Sequence, residues 1–122
     1  MKYPVILLLS FLLNLSCAQT QTPSSKPINS ITADEMKNVV LLDVRTPEEY
    51  AQGHLDNSLN INWFDADFAQ QVEGIDKNET IYVYCKVGGR SAKAQEKLKS
   101  LGYKNVVNLE GGYDAWSLKH PR

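Results

Sequence analysis

Short apolar runs separated by helix-like segments dominate the pattern of the chain. Residues 39–42 form a continuous apolar run, which is typical of a strand buried on both faces. Residues 80–84 are the most strand-like segment, residues 106–109 give another strand, and residues 59–62 alternate between apolar and polar positions. The pattern therefore predicts four strands.

Helix signals fill the intervals between these strands. Thr32 and Glu35 have the spacing of a capping box, and Asp65 is expected to cap a short amphipathic helix that Gly74 ends. The expected helices lie at residues 32–37, 48–51, 65–74 and 91–101 and around Trp116. Strands that alternate with helices predict an α/β domain over residues 30–122, a small parallel sheet with helices on both faces.

The N-terminal segment has a different pattern. Lys2 is followed by apolar residues up to Leu13 and then by small residues, which is the order of a secretory signal peptide over residues 1–18. Two processing sites overlap: Cys17 is the lipidated residue if the signal is of the lipoprotein type, whereas cleavage after Ala18 would remove it. The polar residues 19–29 are interpreted as a linker. We expect an exported protein, in the bacterial periplasm or held at the membrane by a lipid anchor.

Composition limits the function classes and draws attention to one cysteine. The chain has 122 residues, with 13 basic and 14 acidic side chains and no basic patch, so no nucleic-acid partner is expected. Cys85 is the only cysteine of the predicted domain. A lone cysteine in an exported chain is either a reactive group or a small buried hydrophobe, and its neighbours have to decide.

Cys85 follows a predicted strand and precedes a predicted helix, the place where parallel α/β sheets bind ligands. The free N–H groups at the helix start stabilise a thiolate, and Gly88 and Gly89 allow the loop to curl around the sulfur. Lys86 and Arg90 add two positive charges. These effects predict that the pKa of Cys85 is lowered, which is what a sulfur nucleophile requires.

Three segments make the chain resemble the rhodanese family of sulfurtransferases. They are residues 42–50 (LDVRTPEEY) followed by Gly53 and His54, the loop from Cys85 to Ser91, and residues 109–116 (LEGGYDAW). The resemblance implies that Cys85 takes a sulfur atom from a donor such as thiosulfate as a persulfide. It then yields the sulfur to cyanide or to a thiol, including a protein thiol. No metal and no cofactor are implied.

The resemblance also assigns roles to the neighbouring residues. It implies that the loop binds the substrate through Lys86, Val87, Gly88, Gly89, Arg90 and Ser91. Lys86 is expected at the rim, and Arg90 is expected to close the loop and to hold an anionic donor. Asp43 and Arg45 follow a buried strand, so we expect them to support the loop as a charge pair rather than to react.

Two alternatives belong to other functional classes. Phosphatases and arsenate reductases share the fold, but the four residues between Cys85 and Arg90 are one fewer than in the phosphatase loop. A non-catalytic rhodanese-like binding module is the other alternative, and such modules usually lack the loop cysteine. The sequence therefore favours sulfur transfer.

Overall fold

The computed structural model describes residues 24–122. The predicted signal peptide, with Cys17, lies outside the described residues. Residues 24–122 contain five strands and five α-helices, and two 3₁₀ turns lie at Ile28–Ser30 and Val72–Gly74. The strands are β1 (Ser25–Pro27), β2 (Val40–Asp43), β3 (Leu59–Asn60), β4 (Thr80–Tyr84) and β5 (Asn105–Glu110). The helices are α1 (Ala33–Lys37), α2 (Pro47–Gln52), α3 (Phe68–Gln71), α4 (Gly89–Ser100) and α5 (Gly112–Lys119).

All strand pairs in the described sheet are parallel, in the order β1-β5-β4-β2-β3. The predicted α/β class with a parallel sheet is therefore confirmed. Strand β4 is central, and its partners β2 and β5 place Leu42 and Asn108 beside Val83. Because the strands are parallel, the carboxyl ends of β2 and β4 meet at one edge of the sheet.

Two apolar cores lie on the two faces of the sheet. One contains Phe68 of α3 and Ala94 and Leu98 of α4, together with Leu42 and Val83. The other contains Leu41, Tyr84 and Leu109, against which residues of α1 and α5 pack, among them Met36 and Trp116. The helices therefore cover both faces, as the sequence predicted.

The linker prediction for residues 19–29 is wrong at its C-terminal end. Ser25–Pro27 form the edge strand β1, which pairs with β5, and the Ile28 side chain is only 1% exposed. The polar composition of this segment concealed the strand, because an edge strand needs few apolar side chains when its backbone is paired.

Two helix starts also differ from their predictions. Asp67, not Asp65, occupies the N-cap position of α3, and the Asp65 side chain instead accepts a hydrogen bond from Gln71. Helix α4 begins at Gly89, two residues before the predicted start at Ser91. The earlier start places Ser91 within the first turn of the helix, directly beside the cysteine loop.

Candidate active site

Cys85 lies immediately after β4, at the carboxyl edge of the sheet, and α4 begins at Gly89. Its side chain is 1% exposed and belongs to the core formed with α3 and α4. Cys85 is therefore a buried cysteine, and it lies at the position where this class of sheet binds ligands. Its polar contacts then determine its chemistry.

The sulfur of Cys85 lies among hydrogen-bonding groups of the loop and of the first turn of α4. The amide of Gly88 donates to Sγ at 3.0 Å, and Ser91 Oγ lies 3.3 Å from Sγ. Gly88 reaches this position with a φ of +129°, a conformation that favours glycine. The loop thus turns an amide toward the sulfur, as its glycine content predicted.

These contacts act on the ionisation of the thiol. Burial raises the pKa of Cys85, but the Ser91 hydroxyl and the loop amides lower it and prevail, so that the pKa lies below its usual value. The amides belong to Ser91, Gly88 and Val87. The pKa of Cys85 is therefore lowered mainly by hydrogen bonds, rather than by the positive charges of Lys86 and Arg90.

Arg90 makes a forked ion pair with Glu49 at the start of α2. Its Nη1 and Nη2 atoms donate to Oε1 and Oε2 at 2.7 and 2.9 Å. The pair lowers the pKa of Glu49 to about 2. Arg90 therefore closes the loop by binding α2, and both ends of its fork already hold a carboxylate.

Glu49 was not predicted as a site residue, although the sequence carried a signal for its position. It is the third residue of α2 and completes a capping box with Thr46. That spacing fixes the carboxylate at the start of the helix. Its pairing with Arg90 depends on the tertiary fold.

The other charged residue of the loop has a looser partner. Lys86 Nζ lies 2.6 Å from Oδ2 of Asp114 in α5, and both side chains are about half exposed. Val87, next to it, is 64% exposed. Both residues stand at the rim of the loop, as expected for Lys86.

Asp43 and Arg45 form a buried ion pair at the end of β2. Arg45 Nη2 lies 2.6 Å from Asp43 Oδ2, and Arg45 Nε also donates to the same carboxylate. The Nη2 atom of Arg45 further donates to the Gly53 carbonyl at 2.7 Å. The pair thus joins the end of β2 to the end of α2. Its support of the cysteine loop stays a prediction.

The N-terminus of α5 holds the backbone of the cysteine loop. The Tyr113 amide donates to the Cys85 carbonyl at 2.8 Å, and the Asp114 amide donates to the Lys86 carbonyl at 3.0 Å. A Cβ atom at Gly112 would lie 2.4 Å from the Lys86 oxygen, and Gly112 has a φ of +58°. Glycine is therefore required where α5 meets the loop.

A cavity of about 460 Å³ lies away from Cys85, between the end of α2 and α5. Its lining includes His54 and His120, each stacked on the aromatic residue four positions earlier.

Among residues 24–122, no group of three or more His, Cys, Asp or Glu side chains could hold a metal ion. No helix in the same range has the length and apolar composition that a bilayer span requires.

Comparison with known proteins agrees with this geometry. The family model of the rhodanese-like domain matches residues 31–119. The chain belongs to this family. Thiosulfate sulfurtransferase GlpE of Coxiella burnetii is 31% identical over 99 residues, which cover 79% of this chain and 91% of GlpE. The crystal structure of a rhodanese-related protein from Thermoplasma volcanium is 30% identical, with a TM-score of 0.70, and covers 80% of this chain and 93% of that one.

A longer relative is also similar. The mitochondrial protein HIGH ARSENIC CONTENT 1 of Arabidopsis thaliana is 40% identical over 85 residues, which cover 62% of this chain. This rhodanese-like chain spans 50% of the length of that protein.

Proposed function

We propose that this rhodanese-like domain is a sulfurtransferase in which Cys85 carries a sulfane sulfur as a persulfide. The donor is a compound such as thiosulfate, and the acceptor is a thiol or cyanide. The observation that carries the proposal is the position of Sγ, buried beneath the loop with the Gly88 amide and the Ser91 hydroxyl as partners. The similarity to a thiosulfate sulfurtransferase supports it.

In the first step, the Cys85 thiolate attacks the outer sulfur of thiosulfate. A bond forms between Sγ and that sulfur, the bond from the outer sulfur to the sulfite sulfur breaks, and sulfite leaves with the electron pair. The negative charge then lies on the terminal sulfur of the persulfide. The N–H groups of the loop and the first turn of α4 stabilise this charge.

In the second step, the acceptor attacks the terminal sulfur. The bond between Sγ and the terminal sulfur breaks, and its electron pair returns to Sγ as the thiolate. Cyanide leaves as thiocyanate, and a thiolate leaves as a persulfide. The Ser91 hydroxyl and the loop amides stabilise the returning thiolate as they do in the resting protein.

Intact mass spectrometry tests the proposal. We expect thiosulfate to add the mass of one sulfur atom to the wild-type domain and cyanide to remove it, because the loop stabilises a sulfur anion. Cys85→Ser should gain no sulfur, and Ser100→Ala in the same helix should behave like the wild type.

Two results would contradict the proposal. Sulfur uptake by Cys85→Ser would place the persulfide elsewhere. If the wild type takes up no sulfur but hydrolyses an aryl phosphate, the phosphatase alternative is favoured. If it does neither, a binding module is favoured.

We also propose that the chain is exported, because residues 1–18 have the charge and apolar pattern of a signal peptide. Fractionation of expressing bacteria should recover the domain outside the cytoplasm. Extraction only with detergent would indicate lipidation at Cys17. A soluble form that begins at Gln19 would indicate ordinary cleavage, and a cytoplasmic protein that keeps residues 1–18 would contradict export.

A further inference from the structure

The charged side chains around the cysteine loop leave little unpaired charge on the α2 side of the site. Both terminal nitrogens of Arg90 are bound to Glu49. Because the pKa of Glu49 is lowered to about 2, this carboxylate stays ionised at neutral pH. The terminal nitrogens of Arg90 are therefore already paired, and they are not available to bind a negatively charged substrate.

An exposed aromatic side chain stands beside this occupied arginine. The ring centroid of Phe64 lies 5.5 Å from Arg90 Cζ, and Phe64 is 67% exposed. The preceding residue, Trp63, packs instead against the core and makes an edge contact with Phe68 at 5.0 Å. The core is thus filled by Trp63, and Phe64 is left in solvent at the rim of the site.

Val87 adds a second exposed apolar side chain to the same rim. It lies within the cysteine loop, two residues after Cys85, and is 64% exposed. Single exposed apolar residues are common on protein surfaces, but both of these lie at the cysteine loop: Val87 is part of it, and Phe64 stands beside its Arg90. They therefore offer exposed apolar surface beside the loop that holds the sulfur.

We propose that Phe64 and Val87 bind the organic body of the sulfur acceptor, and that this acceptor is a small thiol with an apolar substituent. The inference rests on the proposed sulfurtransferase function and names the class of its acceptor. The thiolate of this acceptor attacks the terminal sulfur of the Cys85 persulfide. The bond to Sγ breaks, Sγ keeps the electron pair, and the acceptor leaves as its persulfide.

The size of the apolar rim favours a small molecule over a protein partner. Two side chains at about two-thirds exposure present on the order of 200 Å² of apolar surface. A stable protein interface needs roughly 800 Å² from each partner. The rim therefore matches one phenyl or alkyl group.

A single-turnover experiment on the full chain, residues 1–122, tests this inference. The domain is first loaded with thiosulfate, freed of excess donor, and checked for the added sulfur by intact mass. It is then mixed with benzyl mercaptan or with 2-mercaptoethanol, two thiols of similar acidity. We expect faster transfer to benzyl mercaptan, since only this thiol has a body that contacts Phe64 and Val87.

The variants locate the contact. Phe64→Ser should slow transfer to benzyl mercaptan about tenfold, whereas its transfer to 2-mercaptoethanol changes less than about twofold. Val87→Ser should slow transfer to benzyl mercaptan about threefold. Leu118→Ser is the matched control, because Leu118 is an apolar residue that is 84% exposed near the end of α5. This variant should leave both transfer rates unchanged.

The outcomes separate the two proposals. If loading succeeds but the wild type transfers sulfur equally fast to both thiols, or Phe64→Ser slows both equally, the assignment of the acceptor class is overturned. If thiosulfate and an organic persulfide both fail to load Cys85, the proposed function itself fails, and the acceptor assignment falls with it.

Discussion

The Ser91 hydroxyl lies 3.3 Å from Sγ of Cys85 and 3.1 Å from the Gly88 carbonyl. Its single proton can serve only one of these acceptors at a time. When Cys85 is a thiol, it can donate to Ser91, which then donates to Gly88. When Cys85 is a thiolate, the Ser91 proton turns to the sulfur, and the Gly88 carbonyl keeps the amide of Ala92 as its donor.

Ser91→Ala should therefore raise the pKa of Cys85, because the variant loses the side-chain donor that lowers it. A higher pKa means less thiolate at neutral pH. We expect the pH midpoint of iodoacetamide alkylation to move upward and the rate at pH 7 to fall several-fold. Ser100→Ala serves as the control, because the Ser100 hydroxyl donates to the Lys97 carbonyl. An unchanged midpoint in Ser91→Ala would show that the amides alone set the ionisation.

The ion pair between Lys86 and Asp114 is the subject of a second prediction. Their ion pair is exposed, so it contributes at most about 1 kcal/mol, and an anionic donor can take Lys86 from Asp114. Lys86→Ala should lower kcat/KM for thiosulfate about tenfold. Asp114→Asn, which frees Lys86, should raise it about two- to fivefold.

A neutral organic polysulfide is the control donor for both substitutions. Because it carries no charge for Lys86 to meet, its kcat/KM should change little. If Lys86→Ala slows the neutral and the anionic donor equally, Lys86 acts on Cys85 and does not select the donor.

The residues of the site differ in how far the sequence could predict them. Cys85, Gly88 and Ser91 lie within one strand-loop-helix segment, so local pattern and family motif were sufficient to find them. The partners of the two loop cations were not predictable in this way. Arg90 and Glu49 are 41 positions apart, and Lys86 and Asp114 are 28 apart, so these pairs exist only after the sheet has assembled.

Helix α5 contributes through its backbone more than through its side chains. The amides of Tyr113 and Asp114 hold the carbonyls of Cys85 and Lys86, and Gly112 permits the close approach. Gly112→Ala introduces a Cβ 2.4 Å from the Lys86 oxygen in a left-handed conformation. Steric overlap and backbone strain should together cost at least about 2 kcal/mol.

Thermal unfolding checks this expectation. The Tm of Gly112→Ala should fall by about 10 °C, and the Cys85 loop should lose protection from hydrogen exchange. Gly74→Ala is the matched control, because a Cβ at Gly74 would meet no heavy atom within 4 Å beyond its own residue, its chain neighbours and the backbone of its own turn. Equal Tm values for the two variants would mean that α5 can move away from the loop at no cost.

The elements themselves show why some were predicted and others were missed. Helices α1 and α2 begin at side chains that cap them locally, Thr32 and Thr46, and such signals are visible within a few residues. Strand β1 has no local signal. Its residues Ser25–Pro27 are polar or proline, and their extended conformation follows from pairing with β5, about 80 positions later in the chain.

Across the domain, the strand order was the part that the sequence pattern left open. Alternating strands and helices predicted a parallel sheet, but several orders are compatible with that pattern. The observed order places β4 between β2 and β5, which brings α2 and α5 to the cysteine loop from different sides. The strand order therefore assembles the ion pairs and the backbone contacts of the site.

The N-terminal boundary of the domain gives the last prediction. The sequence placed the boundary at residue 30, whereas β1 pairs with β5 and Ile28 is buried. A chain of residues 30–122 would lose the pairing of β1 with β5 and the buried Ile28 side chain. Leu109 of β5 would then have no strand beside it on the β1 side. The expected cost is at least about 3 kcal/mol relative to residues 24–122.

Denaturation of three proteins would measure this cost: residues 24–122, residues 30–122, and residues 24–122 carrying Ile28→Ala. We expect the Tm of the 30–122 chain to fall by about 15 °C. Ile28→Ala should account for part of that loss, since it removes the buried side chain but keeps the backbone pairing of β1. If residues 30–122 and 24–122 unfold at the same temperature, β1 contributes nothing to the stability of the sheet and residue 30 is the correct boundary.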